Sequence, residues 1–298
     1  MNDITPAVRD LGSQIAQSVP NPFFGIITEG TLSAATITRE QLLRPYPHFL
    51  GVNSGYSFLG NNIYHALAVK VEKRFSRGFS ALVSYTKAKQ IDDASAGTVR
   101  PGANNSIGVQ NWYNLRAERS RSANDIPQRL VLTGLWEVPF GRTGSSLVRN
   151  TIGGWQVNVI TTIENGPPLS ISATAAGGAN RPNVVPGVEA KLDAPTLEKW
   201  FNTAAFSQPL AYTLGNASRT LPNVSADGVL NTDLSIIKNF AIKERYRLQF
   251  RSEFFNLTNS PTFAAPGSAL NSATFGVITA TAFNPKPREI QFGLMLRF

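Results

Sequence analysis

The stretch Arg288-Glu-Ile-Gln-Phe-Gly-Leu-Met-Leu-Arg-Phe298 decides the fold. Ile290, Phe292, Leu294, Leu296 and Phe298 take every second position, while Glu289, Gln291, Gly293 and Arg297 stand between them; Met295 is the apolar exception. Successive side chains of a strand point to opposite faces, so this segment has one apolar face and one polar face. A half-buried edge of a soluble sheet would have that pattern. So would a strand that crosses a bilayer with lipid on one side and water on the other.

The same alternation recurs upstream. Asn62 to Phe75 puts Ile63, Leu67, Val69, Val71 and Phe75 on one face and Lys70, Glu72 and Arg74 on the other. After Ser76-Arg-Gly78, Phe79 to Ala88 sets Phe79, Ala81, Val83 and Tyr85 against Ser80, Ser84 and Thr86. Pro127 to Phe140 carries Leu130, Leu132, Trp136 and Val138 against Arg129, Thr133 and Glu137. Trp155 to Glu164, Val229 to Ile242 and Tyr246 to Asn256 complete seven expected strands, with Leu234, Ile236, Leu248 and Phe250 on the apolar side and Asp233, Arg247, Arg251 and Glu253 opposite. A short helix is expected around Pro195 to Phe201, and a further short strand at Phe275 to Phe283.

Composition narrows the class. The chain has 298 residues, 42% hydrophobic and only 16% charged, and no run approaches the roughly 18 consecutive apolar residues of a membrane helix. Alternation hides the apolarity of barrel strands, so this does not argue against a membrane protein. There is no cysteine, hence no disulfide framework and no thiolate chemistry. The net charge of +9 is spread along loops and polar strand faces without a Lys/Arg block of five, so nucleic acid is not an expected partner. The opening Met1-Asn-Asp-Ile-Thr-Pro lacks the basic and apolar regions of an export signal. Together with membrane strands, that leads to the expectation that the chain is the C-terminal piece of a longer protein.

Loop lengths and aromatics point to a membrane barrel. The connections run short, long, medium, long, short, long, which puts every long loop at one end of the strands. Outer-membrane barrels have short periplasmic turns and longer extracellular loops. With Phe298 at the periplasmic end, Phe75, Phe79, Trp136, Phe140, Trp155, Phe240 and Tyr246 fall at that same end, as an interfacial aromatic belt would. The expected fold is all-β: an antiparallel transmembrane barrel segment of about seven amphipathic strands, an open partial barrel with long extracellular loops. Residues 1–61, rich in Pro, Gly, Ser and Thr, are expected to form a loop-rich extracellular segment, and 62–298 the barrel segment. Arg129, Asp233, Arg247, Arg251 and Glu253 would line a wet lumen, since a cation on the lipid face near the midplane costs about 2–4 kcal/mol. The alternating row Ile290, Phe292, Leu294, Leu296 and Phe298 would be the assembly signal read by the barrel-assembly machinery.

Asn21-Pro-Phe-Phe-Gly25, Leu43-Arg-Pro-Tyr-Pro47, Asn62-Ile-Tyr-His65, Phe79 to Thr86 running into Ile91-Asp-Asp93, Phe250 to Thr258, and Ile290-Gln-Phe-Gly-Leu294 together resemble the C-terminal barrel of Oar-like TonB-dependent transporters, the large forms with a carboxypeptidase-regulatory-like N-terminal domain. The resemblance covers essentially the whole chain. It implies a plugged barrel of about 22 strands in the outer membrane of a Gram-negative cell, energised through TonB and importing large or scarce nutrients. The chain departs from that pattern in showing no TonB box, no plug and no N-terminal domain, so contact with TonB would come only through a missing N-terminal part. Seven is also an odd number of strands, and usual single-chain bacterial barrels have an even one.

Other chemistry is thin. The two histidines, His48 and His65, make no zinc cluster. Asp92-Asp93 with Ser95 and Gly97 lacks the spacing of a calcium loop and reads as a strand-end turn. Gly51, Gly55 and Gly60 do not form a phosphate loop, and no nucleophile–base pair stands out. No catalytic, cofactor-binding or metal-binding residue is expected, and the chain is not expected to be an enzyme. Trp112, Tyr113 and Arg116 are candidate ligand contacts in an outer loop. The partners expected are outer-membrane lipid and the assembly machinery. The alternative is a soluble β-sandwich module binding carbohydrate or another ligand, which would show two packed sheets around a dry core.

Overall fold

The computed structural model describes residues 2–52, 59–93, 108–141, 143, 145–243, 246–282 and 286–298. Seven long strands form one antiparallel sheet: β1 (Asn62–Ser76), β2 (Phe79–Asp92), β3 (Gln128–Glu137), β4 (Trp155–Glu164), β5 (Val229–Lys243), β6 (Tyr246–Phe255) and β7 (Glu289–Arg297). Each pairs with its neighbours in sequence, so the sheet is a plain meander from β1 to β7, with Ser120–Arg121 added beside the end of β2. Among the described residues β1 and β7 each bond on one side only, and the barrel is not closed. The β-sandwich alternative fails here, because the long strands share one sheet instead of forming two that face each other.

The expected strands lie within a few residues of the observed ones. β2 runs four residues past Ala88, because Asn62 to Ala66 supply ladder partners as far as Asp92. β3 starts one residue later and stops three earlier than the alternation suggested. The β1–β2 hairpin turns on Arg77 and Gly78, both with positive φ (52° and 81°), the conformation that matches the twist of the flanking strands in a two-residue turn. The turn residues Glu244 and Arg245 between β5 and β6 lie outside the described residues, as do Ser95, Gly97 and Gly55.

Two expectations are corrected. No helix forms at 195–201: Thr196 and Lys199 exchange backbone hydrogen bonds in a single turn, and the Trp200 amide instead donates to Gly276 O at 2.8 Å. Packing of Trp200 and Phe201 against other loops wins over continuing the turn. No strand forms at 275–282 either. The segment makes isolated bridges, Gly267 to Phe275 and Phe263 to Thr281, which tie it back to its own loop, and Phe283 lies outside the described residues.

The dry core is not in the sheet. Leu169, Ile171, Phe201, Ala205, Phe206, Leu221, Val224 and Ala226 form the buried cluster, all from the loop between β4 and β5, and Phe275 of the β6–β7 loop packs on it. Phe201 meets Phe206 and Phe275 edge-on, with centroids 5.9 Å and 5.2 Å apart. In an antiparallel meander the β2–β3, β4–β5 and β6–β7 connections leave from the same end, so these loops make a compact cap there. The segment before β1 reaches the same end: Asn2 Nδ2 donates to Tyr46 O and Phe49 O, and Tyr113 Oη to Asp3 O at 3.1 Å. Gly166 marks the exit from β4, where a Cβ would stand 1.9 Å from Ala226 O.

Candidate functional site

The register sorts the sheet into two surfaces, because directly opposed residues share a face. Val71, Val83, Leu132 and Thr161 are consecutive partners across β1 to β4. Val159, Leu234, Phe254 and Ile290 continue that face to β7. It also carries Ile236, Leu248, Phe250 and Leu294, with Phe250 stacked on Phe292 at 6.2 Å. The other face runs through Glu72, Leu82, Thr133, Ile160 and Asp233. Arg129, Asn158, Arg247, Arg251 and Glu253 fall on it. A one-residue slip would invert a strand, and β1 to β7 keep one sidedness up to the bulges after Lys73 in β1 and after Ala241 in β5.

Charge follows the same division. Each strand holds one acidic residue (Glu72, Asp92, Glu137, Glu164, Asp233, Glu253, Glu289), and all seven are on the polar face. Several are paired there: Lys70–Glu72 at 3.3 Å, Arg129–Glu164 at 3.2 Å and Arg251–Glu253 at 3.6 Å. Asp233 accepts from Asn231 Nδ2 at 3.1 Å and from the Asn256 amide at 2.9 Å. The charged residues at described paired positions of the apolar face of β1 to β7 are all lysines, and these lie near the two ends of the strands: Lys87 and Lys89 towards the cap, Lys73 and Lys238 towards the short turns.

At the short-turn end Phe79 is paired with Trp136, Trp155 with Lys238, and Phe240 with Leu248, so these aromatics line one edge of the apolar face. Phe75 lies in the bulge that closes β1, Phe140 lies in the β3–β4 connection, and Tyr246 opens β6; all three are exposed. In β7, Ile290, Phe292, Leu294 and Leu296 stand on the apolar face and are exposed, and Phe298 follows the last paired residue and is 95% exposed.

The cap end is held by buried ion pairs. Glu118 is fully buried; its Oε1 accepts from the amides of Gln110 and Asn111 at 3.2 and 3.1 Å and from Arg181 Nη2 at 3.0 Å, and its Oε2 accepts from Arg181 Nη1 at 2.8 Å. Arg219, equally buried, bridges the Glu118 carbonyl and Asp92, both its carbonyl and its carboxylate. Asp93 accepts from the amide and side chain of Asn61 at 2.6 and 3.0 Å. Burial alone would push the Asp93 carboxyl up; the Asn61 hydrogen bonds, its own amide and nearby Arg219 hold it below the usual value. Asp92 and Asp93 therefore end the strand by engaging protein groups. Sequence reasoning missed this network. The acids Glu118 and Asp125 interleaved with Arg116, Arg119 and Arg121 were its one local signal, and Arg181 and Arg219 come from a loop far along the chain.

Trp112 and Tyr113 line a small pocket of about 70 Å³ with Asp3, Ile4 and Arg9. Burial pulls the Arg9 guanidinium below its ordinary value, which Asp3 and Glu40 partly offset. Arg116 is exposed and does not line this pocket. Among the described residues no group of three His, Cys, Asp or Glu side chains is placed to hold a metal ion.

A sheet with one apolar and one charged face, long loops at one end and aromatics at the other is the wall of a membrane barrel. Comparison with known families agrees: a model described as an outer membrane beta barrel domain matches residues 2–291, and the chain belongs to that family. The protein is accordingly an outer-membrane protein. No curated protein and no solved structure matches it.

Proposed function

We propose that this chain forms part of the barrel wall of an Oar-like TonB-dependent transporter that imports large or scarce nutrients and is not itself an enzyme. The observation that carries the reading is the pair of free sheet edges, β1 and β7, flanking a polar face studded with charge. In lipid each unpaired backbone group costs several kcal/mol, so both edges need partner strands. The charged inner face suits a hydrated lumen around a plug, and the motif resemblance implies that the missing strands make the closed barrel a wide one. The motifs that resemble Oar-like transporters support the same assignment. TonB would act through a plug-bearing part of the assembled transporter, and the apolar row of β7 would engage the barrel-assembly machinery.

The test is genetic. Cells lacking the gene are grown on limiting supplies of bulky nutrients, with TonB intact and with TonB deleted. The expected result is a growth defect on at least one such nutrient that is no worse when TonB is also absent. A defect that adds to the TonB defect would overturn the assignment.

A further inference from the structure

On the apolar face, where β2 and β3 meet the cap, lies an open recess of about 640 Å³. Lys87, Lys89 and Gln128 form its strand side, and Arg121, Asn165 and Trp200 its cap side. Lys87 and Lys89 are exposed and have no ion-pair or hydrogen-bond partner among the described residues. Two acids share the recess, and both are already engaged. Asp125 holds Arg121 Nε at 2.9 Å and the Gln90 amide at 2.7 Å, while Asp227 accepts from the Gly228 and Phe263 amides, each at 2.9 Å. Arg121 Nη1 donates to Pro222 O at 3.1 Å, and Nη2, also buried, has no partner among the described residues. Arg121 neutralises Asp125, and the single charge left on Asp227 is outweighed by the two of Lys87 and Lys89, so the recess is net positive.

The height of the recess says who the visitor is. Phe79 on the same strand face belongs to the aromatic edge at the far end of the sheet. Lys87 and Lys89 follow it by eight and ten residues. At about 3.4 Å per residue and a tilt of about 40°, the lysines stand roughly 21–26 Å along the bilayer normal from that edge, and the apolar band of such barrels is about 25 Å tall. They lie at the opposite headgroup level, on the side that faces lipid. Trp200, with its indole Nε1 bonded to Ser225 O at 2.8 Å, adds an interfacial aromatic to the rim.

We propose that this recess seats the phosphate-bearing headgroup of a lipid in the outer leaflet. Lys87 and Lys89 contact the phosphate, and the acyl chains run down the apolar face past Tyr85, Leu130 and Val83. The proposal rests on the outer-membrane barrel fold and not on the transport assignment.

The test uses the 298-residue chain in neutral maltoside micelles, with strand content checked by circular dichroism. Retained lipid is counted by native mass spectrometry against added dioleoyl phosphatidic acid or dioleoyl phosphatidylcholine. The acid is expected to be retained in preference to the choline lipid. The double variant Lys87→Gln/Lys89→Gln should weaken its retention about thirtyfold, the factor that two cations near an anionic leaflet contribute together. The charge-matched variant Lys70→Gln/Lys191→Gln, which removes one cation from the polar face and one exposed cation from the β4–β5 loop outside the recess, should leave it unchanged. Equal retention of the two lipids, or an equal loss in the charge-matched variant, would overturn the proposal. Displacement of the lipid by an equal concentration of inorganic phosphate would also overturn it, by showing a free-anion site instead of a lipid seat.

Discussion

Arg181 grips Glu118 with both arms of its guanidinium, Nη1 to Oε2 at 2.8 Å and Nη2 to Oε1 at 3.0 Å, and almost nothing of either side chain meets solvent. The pair joins the β2–β3 loop to the β4–β5 loop. Removing one partner of a buried pair strands the other charge, at about 3–5 kcal/mol. Glu118→Ala is expected to destabilise the cap by that amount and to raise hydrogen exchange at the amides of Gln110 and Asn111, which donate to the same carboxylate. Arg181→Met alone should be similarly damaging. The double variant Glu118→Leu/Arg181→Met should be milder than the sum, because no buried charge is orphaned. Strictly additive losses in urea unfolding would show that the pair does not act as a unit.

Asp93 gives the cap an acid limit. Its carboxyl lies below the ordinary value of about 3.9, and a group depressed in the folded state stabilises that state above its unfolded pKa. The contribution is fully present above about pH 5, and it is lost as pH falls below about 4 and through the folded value. Proteolysis of residues 59–61 and 93 should therefore rise in acid in the unsubstituted chain. Asp93→Asn should already be weakened at neutral pH and show less additional change below pH 4. If the two proteins keep a constant stability difference down through that range, Asp93 is not the titrating group.

The two faces of the sheet make a sharper test than either face alone. Val159 and Asn158 are neighbours in β4 on opposite surfaces. Val159→Arg should cost about 2–4 kcal/mol of stability in a bilayer, the penalty for a cation on the lipid face near the midplane. Asn158→Arg should be close to neutral, with Gln156 and Ser235 as polar neighbours on the wet face. Folding yield into phosphatidylcholine vesicles reads the difference. Equal yields would mean that the apolar face does not meet lipid.

The strands were legible in the sequence because alternation is local. Trp155 to Glu164 could be bounded to the residue, since Gly154 (positive φ) and Asn165 stop the pattern at both ends. The sidedness of Leu132, Ile236 and Leu294 followed from the same period. The cap was not legible, because its partners are remote. Nothing near Glu118 points to Arg181, and nothing near Phe201 points to Phe275, 74 residues on. The helix expected at 195–201 failed for that reason: local propensity lost to contacts with the β6–β7 loop. Lys238 has no place in an alternating pattern, which counts a lysine on the apolar face as an irregularity.

That irregularity has a structural cause, and it can be tested. Lys238 stands on the apolar face opposite Trp155, yet it is almost fully buried. Its ammonium lies 5.2 Å from the Trp155 ring centroid and 5.3 Å from that of Phe240, and it donates to the carbonyls of Gly153 and Thr151. Those carbonyls belong to the end of the short helix Ser146–Thr151 and the turn after it, where unsatisfied acceptors and the negative end of the helix favour a cation. The lysine thus satisfies acceptors that would otherwise meet the bilayer interface, and its two aromatic neighbours shield it from lipid. Lys238→Met keeps the length and removes the donors, and it should cost about 1.5–3 kcal/mol, the usual contribution of a hydrogen bond to a charged group. Lys238→Arg should recover part of that loss. The β3–β4 connection is where the change should be visible: faster hydrogen exchange at Ile152 and Gly153, and quicker cleavage at Arg149, with the cap unaffected. If Lys238→Met leaves exchange there unchanged, the lysine does not hold the turn.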